Sequence, residues 1–179
     1  MNPYKWQLEV VDLFVKTKSV LLQAPPGAGK SYVATLVKER LGTKPTVIIN
    51  SRDMVGQWKR EYGMEALTIQ GICNMPTEEK VKADVIILDE VHHYESDVWS
   101  QVYDRIDCEY LLGMSATPGE AIKRFDEVFV VPWGDITLPR FSFHYVKFNM
   151  ESTAVEQYRD LTKQLNKTFK VFPRTPQER

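Results

Sequence analysis

Eight residues, Ala24-Pro-Pro-Gly-Ala-Gly-Lys-Ser31, follow the strand-like apolar run Ser19-Val-Leu-Leu-Gln23. Glycines at 27 and 29 lack a Cβ, so the backbone can curl and aim several N–H groups at one anion. Tyr32 to Leu41 reads as a helix stopped by Gly42, which would set that anion at a helix N-terminus. Pro26, Gly27, Ala28 and Gly29 would form a phosphate cradle, with Lys30 reaching the β- and γ-phosphates and Ser31 giving its hydroxyl to Mg2+. The strict form of this loop has Gly where Ala24 stands. The bland alternative is a Gly-rich turn, but the strand before and the helix after weigh against it.

A second apolar run, Val85 to Leu88, ends in Asp89-Glu90-Val91-His92. Continuous apolar residues suit a strand covered on both faces of a parallel sheet, and such sheets carry their chemistry at the carboxyl ends of the strands. Asp89 is placed to hold a hydrated Mg2+, and Glu90 to orient or deprotonate an attacking water. Two acids after a strand could serve solubility alone; a phosphate loop upstream makes triphosphate hydrolysis the stronger reading. A third run, Tyr110-Leu-Leu-Gly-Met, ends in Ser115-Ala-Thr117 and Pro118. Small hydroxyl residues there are ordinarily turn formers.

In this order, Ala24–Ser31, Asp89–His92 and Ser115–Thr117 resemble motifs I, II and III of the superfamily 2 helicases and translocases of the DExH type. Ala at position 24 is common in that group. The resemblance spans roughly Asn2 to Pro118 and implies ATP and Mg2+ as ligands, with Lys30, Asp89 and Glu90 as the hydrolytic residues. Asn2-Pro-Tyr-Lys-Trp-Gln7 is similar to the segment in which a glutamine contacts adenine, which would make Gln7 the adenine reader. The alternative for Gln7 is a place on the solvent face of a first helix. Asn50 to Trp58 looks like motif Ia, which implies backbone contacts to nucleic acid from Ser51 and Arg52, with Gln57 and Trp58 on the helix after them. Trp58 reads equally well as core. For His92 the resemblance implies a coupling role beside Ser115 or Thr117.

The implied fold is α/β: a RecA-like domain with a mostly parallel sheet and helices on both faces. Members of the group sandwich nucleotide between two RecA-like domains, and nothing after Pro118 matches the arginine-rich motif of the second one. The expectation is therefore a RecA-like ATP-binding domain over residues 1–135. Residues 136–179 would be a strand–helix extension toward a second RecA-like domain, in the same longer chain or in trans. Weak turnover is expected of this half alone. The expected partner is DNA or RNA, with DNA favoured. Two rival readings stay open: a binding module that uses ATP only as a ligand, and a small-molecule kinase, which the Ser115–Thr117 element counts against.

The elements that must position these residues alternate. Helices are expected over Tyr4–Val15, from Lys30, over Asp53–Tyr62 with Asp53 as N-cap or first-turn acid, and around Asp97–Arg105. Strands are expected at Ser19–Gln23, Thr46–Asn50, Leu67–Gln70, Ala83–Leu88, Tyr110–Gly113 and Val128–Val131, and one helical turn after Pro76. Phe141–Asn149 alternates like an edge strand, and Thr153 to Glu156 fits a capping box. The 179 residues suit one domain, and 43% hydrophobic with 26% charged residues is ordinary for a globular chain. A net charge of −1 means that any nucleic-acid surface must be a local patch. Cys73 and Cys108 read as reduced thiols, and adjacent His92 and His93 cannot share one face as a metal pair. Tyr94 and Trp99 could stack on bases, but sheet packing is favoured. Without a long apolar stretch or a leader pattern, the chain is expected to be soluble and intracellular, with no membrane contact.

Overall fold

The computed structural model describes residues 2–132, 134 and 156–161. By contacts the chain divides into two compact units, Met1–Pro139 and Arg140–Arg179. In the second, residues 156–161 are helical, with exposed side chains. The edge-strand expectation at Phe141–Asn149 and the capping box from Thr153 lie outside the described residues.

The first unit alternates helices and strands. Helix α1 (Lys5–Thr17) leads to β1 (Ser19–Gln23), α2 (Lys30–Leu41) and β2 (Thr46–Ile49). Helix α3 (Arg52–Gln57) runs into a π-turn at Trp58–Tyr62, followed by β3 (Glu65–Thr68), α4 (Ile69–Cys73) and β4 (Val81–Asp89). Two 3-10 segments, Val91–Glu95 and Trp99–Asp104, precede β5 (Ile106–Ser115); a third, Gly119–Arg124, precedes β6 (Glu127–Val130). The six strands form one sheet in the order β3-β2-β4-β5-β1-β6, and every pair is parallel.

Side-chain alternation explains why both faces are covered. Along a strand successive side chains point to opposite faces. Val20 and Leu22, Val47 and Ile49, and Val85 and Ile87 join the core beneath α1 and α2, around Trp6, Val10, Phe14, Val33 and Val37. Their alternates Leu21, Ile48, Ile86 and Leu88 join Ile69, Ile72, Tyr94 and Val102 on the other face. Strand β5 runs between β1 and β4, in register Leu22↔Met114 with one neighbour and Leu88↔Gly113 with the other. Gly113 is needed there: a Cβ would come within 2.4 Å of Phe125 Cζ and 2.9 Å of Leu21 Cδ1.

Several expected boundaries shift for local reasons. Residues 67–70 are not one strand, because the Thr68 side chain accepts a hydrogen bond from Gly71 N (3.1 Å) and starts α4, sending Ile69 and Ile72 inward at helical spacing. Ser51, not Asp53, occupies the N-cap of α3, and Asp53 is its first-turn acid. The segment expected as a helix around Asp97–Arg105 is a 3-10 piece at Trp99–Asp104. Tyr94 is buried and donates its hydroxyl to Ile48 O (2.7 Å), and Trp99 packs on the same core, so both pack as expected. Among the described residues no helix is long and apolar enough to cross a membrane.

Candidate nucleotide site

Parallel pairing brings the ends of β1, β5 and β4 to one rim. Gln23 pairs with Ser115, and Met114 with Asp89. The loop after β1, the hydroxyl at the end of β5 and the acids at the end of β4 therefore stand side by side.

The loop takes the shape that its glycines permit. Gly27 has φ 78° and Gly29, the N-cap of α2, has φ 92°. A Cβ on Gly29 would lie 2.9 Å from Gln7 Nε2, so this glycine is fixed by conformation and by close approach. Gln7 is not on the solvent face. It is 2% exposed, its Oε1 accepts from Tyr4 N (2.9 Å), and its Nε2 donates to Gly29 O (3.2 Å). Gln7 thus ties the start of α1 to the loop, a link that the sequence left open.

Lys30 is the first residue of α2 and is buried. Its Nζ donates to Ala24 O (3.1 Å) and lies 3.8 Å from Glu90 Oε1. Burial pushes the Asp89 carboxyl up to about 6, the neighbouring Glu90 adds to the rise, and Lys30 opposes it. Glu90 itself sits at φ 52°, a left-handed backbone that is uncommon for a residue with a Cβ. Such strain persists only where surrounding structure imposes it. Glu90 Oε2 lies 3.4 Å from His92 Nδ1 and 3.5 Å from Ser115 Oγ.

Ser115 is fully buried and joins these groups. Its Oγ accepts from Thr117 N (3.2 Å) and lies 3.0 Å from His92 Nδ1. The hydroxyl has one proton to donate. It points to His92 Nδ1 when that nitrogen is bare, and to Glu90 Oε2 when Nδ1 carries the proton. Burial lowers the pKa of the next histidine, His93, as does His92, whose ring centroid is 4.1 Å away.

Pro26, Gly27, Gly29, Lys30 and Ser31 line a cleft of about 530 Å3 together with Asp89 and Glu90. Tyr32, Met54 and Tyr62 complete its wall; the sequence reading did not single out the last two. Met54 comes from α3 and Tyr62 from the end of the π-turn, and no local pattern marks Tyr62, because a π-turn has no sequence signature of the kind that marks the loop. A hydroxyl and two carboxylates are hard oxygen donors, and a cation would offset the burial and the neighbouring Glu90 charge that raise Asp89, so the donor set fits Mg2+. Among the described residues no cluster of three or more His, Cys, Asp and Glu forms a separate metal site.

The other sequence candidates lie outside this cleft. Ser51 is half-buried and Arg52 exposed, both just after β2 on the carboxyl side of the sheet. Gln57 donates to Glu61 Oε2 (3.1 Å). Trp58 is 1% exposed and belongs to the core beneath α1 and α2, which removes it as a nucleic-acid contact. Thr117 is exposed beside the loop, on a separate cleft lined by Gln23, Ala24 and Pro25.

Known proteins resemble this chain in sequence and in fold. Residues 67–120, which include Asp89, Glu90, His92, Ser115 and Thr117, match the family described as type III restriction enzyme, res subunit. The chain is 26% identical over 132 residues to the DNA 3'-5' translocase XPB2 of Sulfurisphaera tokodaii, covering 63% of this chain and 30% of that one. It is 27% identical over 143 residues to the putative DNA 3'-5' helicase Rad25 of Halobacterium salinarum, covering 66% and 23%. It therefore spans less than a third of the length of these relatives. Among solved structures, the UvsW helicase of bacteriophage T4 superposes with a TM-score of 0.56 at 17% identity, covering 73% of this chain and 61% of that one.

Proposed function

We propose that this chain, a RecA-like domain of the superfamily 2 helicases, is the ATP-binding half of a DExH-type motor that hydrolyses ATP with Mg2+ to move on or remodel nucleic acid, DNA in the first instance. One observation carries the reading: Lys30 Nζ and Glu90 Oε1 lie 3.8 Å apart in a cleft shared with Ser31 and Asp89. One triphosphate can therefore meet the loop, the lysine and both acids at once.

Loop amides and Lys30 hold the β- and γ-phosphates, and Gln7 reads the adenine from the α1 side of Gly29. Ser31 and Asp89 would hold Mg2+, which when bound screens charge building on the phosphoryl oxygens. Glu90 orients a water and accepts its proton as the water oxygen bonds to the γ-phosphorus and the bond to the β–γ bridging oxygen breaks. The Ser115 hydroxyl, shared between Glu90 and His92, gives the acid a link to the exposed Thr117 at the rim. Ser51, Arg52 and Gln57 are proposed to meet the nucleic-acid backbone, and a second RecA-like domain to supply the remaining transition-state contacts. The DNA-acting names of the translocase and helicase relatives favour DNA. A domain boundary near residue 135 goes with this reading.

The test is binding of a fluorescent ATP analogue with Mg2+, followed by steady-state ATPase with and without single-stranded DNA. Tight binding that Lys30→Ala abolishes is the expected result, with slow turnover from the isolated chain. Binding untouched by Lys30→Ala would overturn the site. Many turnovers per second from the monomer would overturn the half-motor reading.

A further inference from the structure

We infer that Tyr62 is a contact residue for the metal–triphosphate complex, its phenolic hydroxyl donating a hydrogen bond on the metal side of the cleft. The inference rests on the nucleotide reading above and extends it to a residue outside every motif of the loop and the strand-end acids.

Three observations place Tyr62 there. It lines the cleft with Lys30, Ser31, Asp89 and Glu90, the groups proposed to hold phosphate and metal. Its main chain is clamped to α2: Lys38 Nζ donates to Tyr62 O at 3.1 Å and to Gly63 O at 3.3 Å. Lys38 lies about 12 Å along α2 from Lys30. Long helical side chains lean toward the N-terminus, so this clamp holds the Tyr62 backbone beside α2, the helix whose first residues line the same cleft. Finally, the Tyr62 ring packs against the buried Trp58 in a tilted contact, centroids 4.8 Å apart at 45°, which restricts its direction.

The π-turn is what makes this possible. Trp58–Tyr62 widens the helix by one residue per turn at the point where α3 would otherwise continue, and Gly63 closes it at φ 60°. Trp58 is thereby buried while Tyr62, four residues on, reaches the cleft. Among the described residues the Tyr62 hydroxyl has no hydrogen-bond partner, so it is not committed to holding the fold together. A phenol there suits a water of the hydrated metal better than a base, because the surrounding groups are carboxylates, a hydroxyl and an ammonium. The same helix begins at Arg52, so nucleotide contact at one end and the proposed nucleic-acid contact at the other share one rigid element.

Tyr62→Phe tests this, because it keeps the contact with Trp58 and the clamp from Lys38 and removes only the hydroxyl. The measurement is the affinity of the whole chain for a fluorescent ATP analogue in Mg2+ and, separately, in EDTA. The wild-type chain is expected to bind more tightly with Mg2+, and Tyr62→Phe to lose about tenfold of that gain, the size of one charge-assisted hydrogen bond. An unchanged urea midpoint is expected to show that the fold is intact. A Mg2+ gain equal to wild type, or an equal loss with and without Mg2+, overturns the inference. If Lys30→Ala abolishes binding while Tyr62→Phe behaves as wild type, the nucleotide site stands and only Tyr62 falls. A wild-type chain that binds no nucleotide overturns both.

Discussion

Asp89→Asn should make the nucleotide-free chain more stable while removing one ligand of the proposed metal site. The native carboxyl titrates at about 6, against an ordinary value of 3.8, because burial and Glu90 disfavour its charge more than Lys30 favours it. The native state therefore binds the proton more tightly than the unfolded chain does. With a raised native pKa, stability is full below about pH 4 and is lost as pH rises through about 6. The difference of about two pKa units, at 1.36 kcal/mol each, corresponds to about 3 kcal/mol at pH 8 and less than about 1 kcal/mol at pH 4. Asparagine copies the shape and neutrality of the protonated acid and removes this cost at high pH. Urea unfolding in EDTA, at pH 8 and pH 4, measures it: the variant should be more stable by about 2–3 kcal/mol at pH 8 and nearly equal to wild type at pH 4. Carboxylates remote from Asp89 titrate alike in both chains, so the pH dependence of the difference reports on Asp89 together with its coupling to the adjacent Glu90. A variant less stable than wild type at pH 8, or a difference that ignores pH, would refute the reasoning. Loss of Mg2+-dependent nucleotide binding in the same variant would show that the strain is kept for function.

Gly113→Ala should destabilise the domain by about 1–3 kcal/mol, since the new methyl meets Phe125 and Leu21 in the sheet core. Pairing it with Phe125→Leu should recover part of that loss in the same urea experiment. Tyr94→Phe removes the 2.7 Å bond to Ile48 O and leaves a buried carbonyl short of a donor, costing about 1–3 kcal/mol without altering nucleotide affinity. Gly29→Ala combines a left-handed φ of 92° with a clash at Gln7 Nε2 (2.9 Å); nucleotide affinity, read by the same fluorescence titration, should fall at least tenfold.

Much of the site was legible because its chemistry is local. The backbone of Gly27 and Gly29 needs conformations that glycine reaches freely, and Lys30 and Ser31 follow within one turn, so eight consecutive residues announce the loop. The apolar runs at β1, β4 and β5 were equally plain, since strands buried on both faces lose the alternation that would make them ambiguous. Helix ends were harder. Thr68 capping its own short helix and the π-turn after Gln57 both turn on hydrogen bonds that neighbouring segments permit, which no propensity within the segment fixes.

Residue types and spacing by themselves determined the loop, the two acids and the parallel α/β frame that must hold them. Only the folded sheet decided that β5 separates β1 from β4, which sets Ser115 between His92 and Glu90, buries Gln7 against Gly29 and brings Tyr62 to the cleft. The physical reason is range: a left-handed glycine is an energy of one residue, whereas strand order and side-chain neighbours are settled by burial shared among segments far apart in the chain.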